Sequence, residues 1–216
     1  MNMLSPQRVT LAGRYATLVP LNAEEHAAAL WQAVQGPQPG PHNDALWLYM
    51  GDGPYTDFAS FRTAIDMKAM GDDVFFAILG EDRRAVGYAS LMRIDVKNRV
   101  VEVGNILYSP RLQKTRAATE AMYLLARYVF EDLNYRRYEW KCNALNEPSR
   151  RAATRYGFVF EGLFRQHMMV KGRNRDTAWY AMLDSEWPAR KAAFEQWLAP
   201  ANFDGDGLQK LALNPE

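Results

Sequence analysis

Apolar and polar residues alternate from Gly13 to Leu21, "GRYATLVPL", which predicts a strand. Asn22 then caps "AEEHAAALWQAV", whose acidic first turn and alanine content predict a helix. The segment "GPQPGPHNDALWLYMGDGPY" breaks this rhythm with Gly and Pro and predicts a loop, whose Trp47, Tyr49 and Tyr55 form a candidate substrate-binding surface. A second helix is expected from Thr56-Asp57 to about Met70, along the stripe Phe58, Phe61, Ile65 and Met70. Three strands follow, "DVFFAILG", "RAVGYASLMRID" and "RVVEVGNILYS", with breaks short enough for antiparallel hairpins.

After that meander comes a polar turn, Arg111 to Arg116, and then a helix. The strand "YRRYEWKCNA" and a short helix, "NEPSRRAATRYG", closed by Gly157, lead to the strands "FVFEGLFRQHMMV" and "DTAWYAMLD" with "KGRNRD" as the hairpin turn between them. The helix "SEWPARKAAFEQWLA" precedes a loosely held tail. This order predicts one α/β domain over residues 1–198, with 199–216 as a C-terminal tail.

Composition narrows the function. The 216 residues are 48% hydrophobic and 24% charged, enough for one packed domain. Lys and Arg number 26 against 25 Asp and Glu, so no basic excess points to nucleic acid and any basic site must be local. The start lacks a charged and then apolar leader, and no apolar run approaches the roughly 18 residues of a membrane span. A cytoplasmic protein without a membrane partner is expected. The single cysteine, Cys142, excludes an internal disulfide and a cysteine-rich metal site, and no histidines stand at ligand spacing, so no metal is expected.

The turn before the central helix is the chemically loaded segment. A helix N-terminus aims unpaired N–H groups and the positive end of its dipole outward, which suits a phosphate. Here Arg111, Lys114 and Arg116 add charge and Thr115 a hydroxyl. The series "SPRLQKTRAATEA", helix, strand, "CNALNEPSRRAATRYGF", "EGLFRQ" resembles the GNAT superfamily of acetyl-CoA-dependent N-acetyltransferases, in particular its RimJ/RimL-like branch, over roughly Leu11 to Leu183.

The resemblance implies an α+β fold, with a mixed, mostly antiparallel sheet flanked by helices and splayed at the cofactor. It implies that Gln113, Lys114, Thr115, Arg116, Ala117 and Ala118 cradle the coenzyme A pyrophosphate, with Arg116 where the family has a glycine. It places Ile106, Leu107 and Tyr108 beside the pantetheine, with a bulge or bend at Gly104-Asn105. Asn146 would contact the pantetheine arm, and Ser149 would serve the departing thiolate, because the position of the family's tyrosine acid is Ala153.

The general base is open between Glu102, on the strand before the turn, and His167, on a later strand. Asp176 either binds a substrate ammonium or caps the basic hairpin. The acceptor is a primary amine, on a protein N-terminus or a small molecule, and a homodimer is left open. The competing reading is a CoA-binding sensor or interaction module that has lost catalysis, to which the missing glycine and missing tyrosine acid point.

Overall fold

The computed structural model describes residues 4–35 and 41–214. Strands β1 (Leu11–Ala12) and β2 (Thr17–Pro20) lead into helix α1 (Ala23–Gln35). Helices α2 (Pro41–Trp47) and α3 (Phe58–Met70) precede the meander β3 (Val74–Leu79), β4 (Ala85–Asp95) and β5 (Val100–Tyr108). Helix α4 (Arg116–Arg127) runs on into a π-helical turn at Tyr128–Asp132. There follow β6 (Arg137–Asn143), α5 (Glu147–Arg155), β7 (Val159–Val170), β8 (Arg173–Leu183), α6 (Trp187–Leu198) and a 3-10 turn at Pro200–Asn202.

Among the described residues the strands form one sheet in the order β1-β2-β3-β4-β5-β6-β8-β7, parallel between β5 and β6 and antiparallel elsewhere. A parallel step needs a crossover, and α4 supplies it. Helices cover both faces. Helices α1 and α3 pack on β3 to β5 through Leu30, Phe61, Ile65, Phe75 and Tyr88. On the opposite face, α4, the π-helical turn after it and α6 pack through Leu125, Val129, Phe194 and Trp197 against Phe76, Leu91, Val103 and Tyr180. Strand β3, "VFFAIL", reads as a continuous apolar run because helices lie against both its sides. Gly157 closes α5 at φ +89°, where a β-carbon would also strike the Arg190 side chain.

Several expectations are corrected here. The Gly- and Pro-rich segment is not all loop: residues 41–47 are helical, and residues 36–40 lie outside those described. Trp47, expected on an exposed surface, is 3% exposed, because it packs edge-on against Tyr55 and Phe61. The β7–β8 hairpin turns on two residues, Lys171 (φ 50°) and Gly172 (φ 72°), whose positive φ matches the twist of the strands, so Arg173–Arg175 is strand. Residues 199–214 are not loose: Asn202, Phe203 and Leu213 are buried, and Asn202 bonds to the Trp197 and Leu211 carbonyls.

The first strands are anchored by a charge the pattern did not single out. Glu120, buried in α4, accepts the backbone N–H groups of Arg14, Tyr15 and Ala16 at 2.9, 2.5 and 2.7 Å. Three charge-assisted bonds satisfy a tight turn whose own strands are too short to do so. Replacing Glu120 by Ala strands those donors and should lower the stability to urea by about 3 kcal/mol; a loss below about 1 kcal/mol would mean that water replaces the carboxylate.

Candidate functional site

Strands β5 and β6 pair from Val100↔Arg137 to Val103↔Trp140 and then part. Beyond that point β5 stays with β4 and β6 with β8. The parting has a local cause. Between Tyr88↔Leu107 and Ser90↔Gly104 the β4–β5 register shifts, and Asn105 sits at φ 50° with its amide donating to Ser90 Oγ at 3.1 Å. The bulge therefore falls on Asn105. Gly104 serves packing, since a β-carbon there would lie 2.3 Å from Met92 Sδ. The edge of β5 toward β6, from Gly104 to Tyr108, is left without a ladder partner and lines a cleft of about 1720 Å³.

At the end of that edge stands α4. Thr115 is its N-cap, accepting the Ala118 N–H at 3.1 Å, and Lys114 is in the left-handed region at φ 61°. The N–H groups of Lys114, Arg116 and Ala117 have no partner among the described residues. Of the cations read in this turn, Arg111 is tied to Asp82 at 2.9 Å. Arg116 points away from the cleft, its guanidinium 4.9 Å from each of the Tyr15 and Phe203 rings. With Ala117 it lines a second recess of about 650 Å³ that Lys114 and Thr115 share. Lys114 lines the main cleft, as do Gln113, Thr115 and Ala118, and Gln113 donates to the Tyr108 carbonyl at 2.8 Å. Arg155 also lines the cleft, held by Thr119 Oγ1 at 3.1 Å and by the Trp197 ring. Its place on the helix after β6 gave the sequence no link to the turn.

The opposite wall is the start of α5. Asn146 caps this helix, accepting the Ser149 N–H at 3.2 Å, and Pro148 fits its first turn. The Asn146 side-chain NH₂ keeps its donors. Ser149 Oγ accepts from Trp140 Nε1 at 3.0 Å, so its own proton remains to be donated. Cys142, also lining the cleft, has its thiol pushed up by burial, with the Ser149 hydroxyl opposing that shift. The alternation of Tyr138, Trp140 and Cys142 on one face of β6 was legible; what they would meet was not.

On the other face lies a charge ladder. Glu102, 3% exposed, accepts from Arg93 Nη1 with both oxygens at 2.7 Å and from Lys141 Nζ at 2.8 Å. Lys141 also reaches Glu139 and sits 4.0 Å over the Trp179 ring; Arg137 continues through Glu139 to Glu161. Glu102 lines the cleft with its oxygens already engaged. His167 is exposed and off the cleft, its Nδ1 3.0 Å from Thr177 Oγ1. Asp176 accepts from the Gln166 N–H and Asn174 Nδ2 and so pins a bulge in β7.

The segment after α2 crosses the mouth. Tyr49 donates to the Leu145 carbonyl at 3.0 Å, and Lys171 donates to the Trp47 and Asp52 carbonyls at 2.7 and 2.8 Å. Leu48, Tyr49 and Met50 thereby line the cleft, whereas Trp47 and Tyr55 pack beneath it. Tyr55 donates to Asp52, which also pairs with Lys68; burial and this carboxylate push the phenol up.

A parted sheet beside a helix N-terminus is a comparable feature, and comparison finds relatives. Residues 16–159 match the acetyltransferase (GNAT) domain family. A solved GCN5-related N-acetyltransferase from Brucella melitensis is 47% identical, covers 96% of this chain and 93% of its own, and superposes with a TM-score of 0.92. An uncharacterized N-acetyltransferase, p20, of Bacillus licheniformis is 31% identical over 144 residues, 64% of this chain and 80% of that protein. The ribosomal-protein-serine acetyltransferase of Escherichia coli is 24% identical over 165 residues, 76% of this chain and 91% of its own. This chain is an acyltransferase of the GNAT acetyltransferase family.

Proposed function

We propose that this enzyme transfers the acetyl group of acetyl-CoA to a primary amine bound in the same cleft. The observation that carries this reading is the continuity between the unpaired edge of β5 and the unpartnered N–H groups at the start of α4. The residues present fit the cosubstrate: free backbone at Gly104–Tyr108 for an extended amide chain, and N–H donors with the Lys114 ammonium for a pyrophosphate. Ile106, Leu107 and Tyr108 would flank the pantetheine, with the Asn146 amide opposite, and Gln113 to Ala118 would hold the phosphates through backbone rather than through the Arg116 side chain. Bound there, acetyl-CoA supplies an activated thioester, so orientation provides much of the rate.

Ser149 is the proton donor in this reading. Trp140 fixes its oxygen from one side, and the hydroxyl would donate to the departing sulfur while taking up the proton shed by the attacking nitrogen, so that the serine ends as it began. Glu102 shapes the floor with its oxygens committed to Arg93 and Lys141, and His167 stands outside the cleft, so the amine enters neutral rather than being deprotonated by either side chain. The unit proposed to do this is residues 1–198, and the described part of the segment after it, 199–214, packs against it through Asn202, Phe203 and Leu213. The name of the E. coli relative makes the amine of a ribosomal protein one acceptor class; a small amine under the Tyr49 crossing is the other.

Calorimetry with acetyl-CoA, followed by thiol release against amines and N-terminal peptides, tests the reading, and absence of binding would sink it. Ser149→Ala should lower kcat by about ten- to a hundred-fold with the acetyl-CoA Kd unchanged; an unaltered kcat removes the serine from the reaction. Lys114→Ala should weaken acetyl-CoA by about ten-fold, and Arg116→Ala by less than about two-fold. The opposite order would put the Arg116 guanidinium on the phosphates.

A further inference from the structure

Arg175 is a cation of the cleft floor that the charge ladder leaves out. In the ladder, Arg93, Lys141 and Arg137 are matched by Glu102, Glu139 and Glu161. Arg175, on β8 opposite Met168, lines the same cleft, is half-buried and makes no ion pair among the described residues. Its Nε donates to Thr177 Oγ1 at 3.0 Å, while its terminal nitrogens have no partner among those residues.

The guanidinium is aimed, not merely placed. Thr177 is fully buried, and its hydroxyl also lies 3.0 Å from His167 Nδ1. Arginine only donates, so the hydroxyl accepts from Nε and keeps its proton and a second lone pair with which to meet Nδ1. His167 is thus a positioning residue: it orients the threonine that orients the arginine. Burial disfavours the charged arginine, and Arg93 adds to that, while the Glu102 carboxylate lies close enough to oppose it. A half-buried fork with two free nitrogens beside the Cys142–Ser149 wall is suited to a planar anion.

Resting on the acetyltransferase reading, we propose that Arg175 binds a carboxylate of the acceptor, so that the amine acetylated belongs to a molecule with a carboxylate close to it. Free amino acids and protein N-termini followed by an acidic residue share that chemistry.

The test pairs acceptors that differ only in this group: amino acids against their amides, and short peptides with Asp or Glu after the first residue against those with Asn or Gln. The native enzyme should favour the carboxylate member by about ten-fold or more in kcat/KM. Arg175→Gln should erase the preference through KM, and Arg175→Lys should restore part of it; acetyl-CoA binding by calorimetry reports that each variant is folded. Which pair responds identifies the source of the carboxylate. Indifference of the native enzyme to the carboxylate, or turnover of no carboxylate-bearing acceptor, overturns the inference. So does an equal fall in kcat on every acceptor, which would assign the guanidinium to the leaving thiolate. Failure of the native enzyme to bind acetyl-CoA strikes instead the reading beneath it.

Discussion

The parallel joint between β5 and β6 ends at Val103↔Trp140, and the whole site depends on that ending. Strand β6 continues with β8, and β5, bent at Asn105, continues with β4, so two edges face each other across a gap that neither can close. Exposed main-chain groups inside a sheet are costly unless something pairs with them. The bulge is held by the Asn105 amide on Ser90, and the close approach of Met92 to Gly104 seats it. Helix α4 then starts where β5 stops, aligning unpartnered N–H groups with the open edge.

The face of the sheet toward α1 and α3 is divided in its chemistry. Over β3 to β5 it is apolar and covered, through Phe75, Ala77, Tyr88 and Leu107. From Arg93 on β4 and Glu102 on β5 across β6 to Glu161 on β7 it carries the balanced ladder, with Lys141 against the Trp179 ring. A buried ammonium held by two carboxylates tolerates the loss of neither without a large penalty. Such a network fixes the cleft floor in one geometry, with the Glu102 oxygens held by Arg93 and Lys141.

The C-terminal segment and the Arg116 contact are parts of one packing solution. Arg116 occupies the space between Tyr15, from the turn that Glu120 anchors, and Phe203, from the segment after α6. Trp197 and Gln209, bonded to each other at 2.8 Å, line both the cleft and the smaller recess. A side chain at the first turn of α4 can therefore be large and charged without entering the cleft, because aromatic rings far away in sequence give it a place behind the helix.

By itself the sequence determined the elements whose causes are local. The meander β3 to β5, the caps Asp57 and Asn146, Gly157 after α5 and the loaded turn at 111–116 all follow from alternation, capping chemistry and backbone freedom within a few residues. The motifs around Lys114 and Asn146 likewise carried the family. Helix α2 was hidden in a Gly- and Pro-rich run, and the two-residue turn at Lys171-Gly172 by the polar residues around it. Only the tertiary structure decided which charges are spent and which are free. Arg111 meets Asp82, Arg116 meets two rings and Glu102 meets Arg93 and Lys141, while Arg175 is oriented by Thr177 and makes no ion pair among the described residues. Those partners come from other strands and helices, and a charge acquires its role from its neighbours in space, which spacing along the chain does not encode.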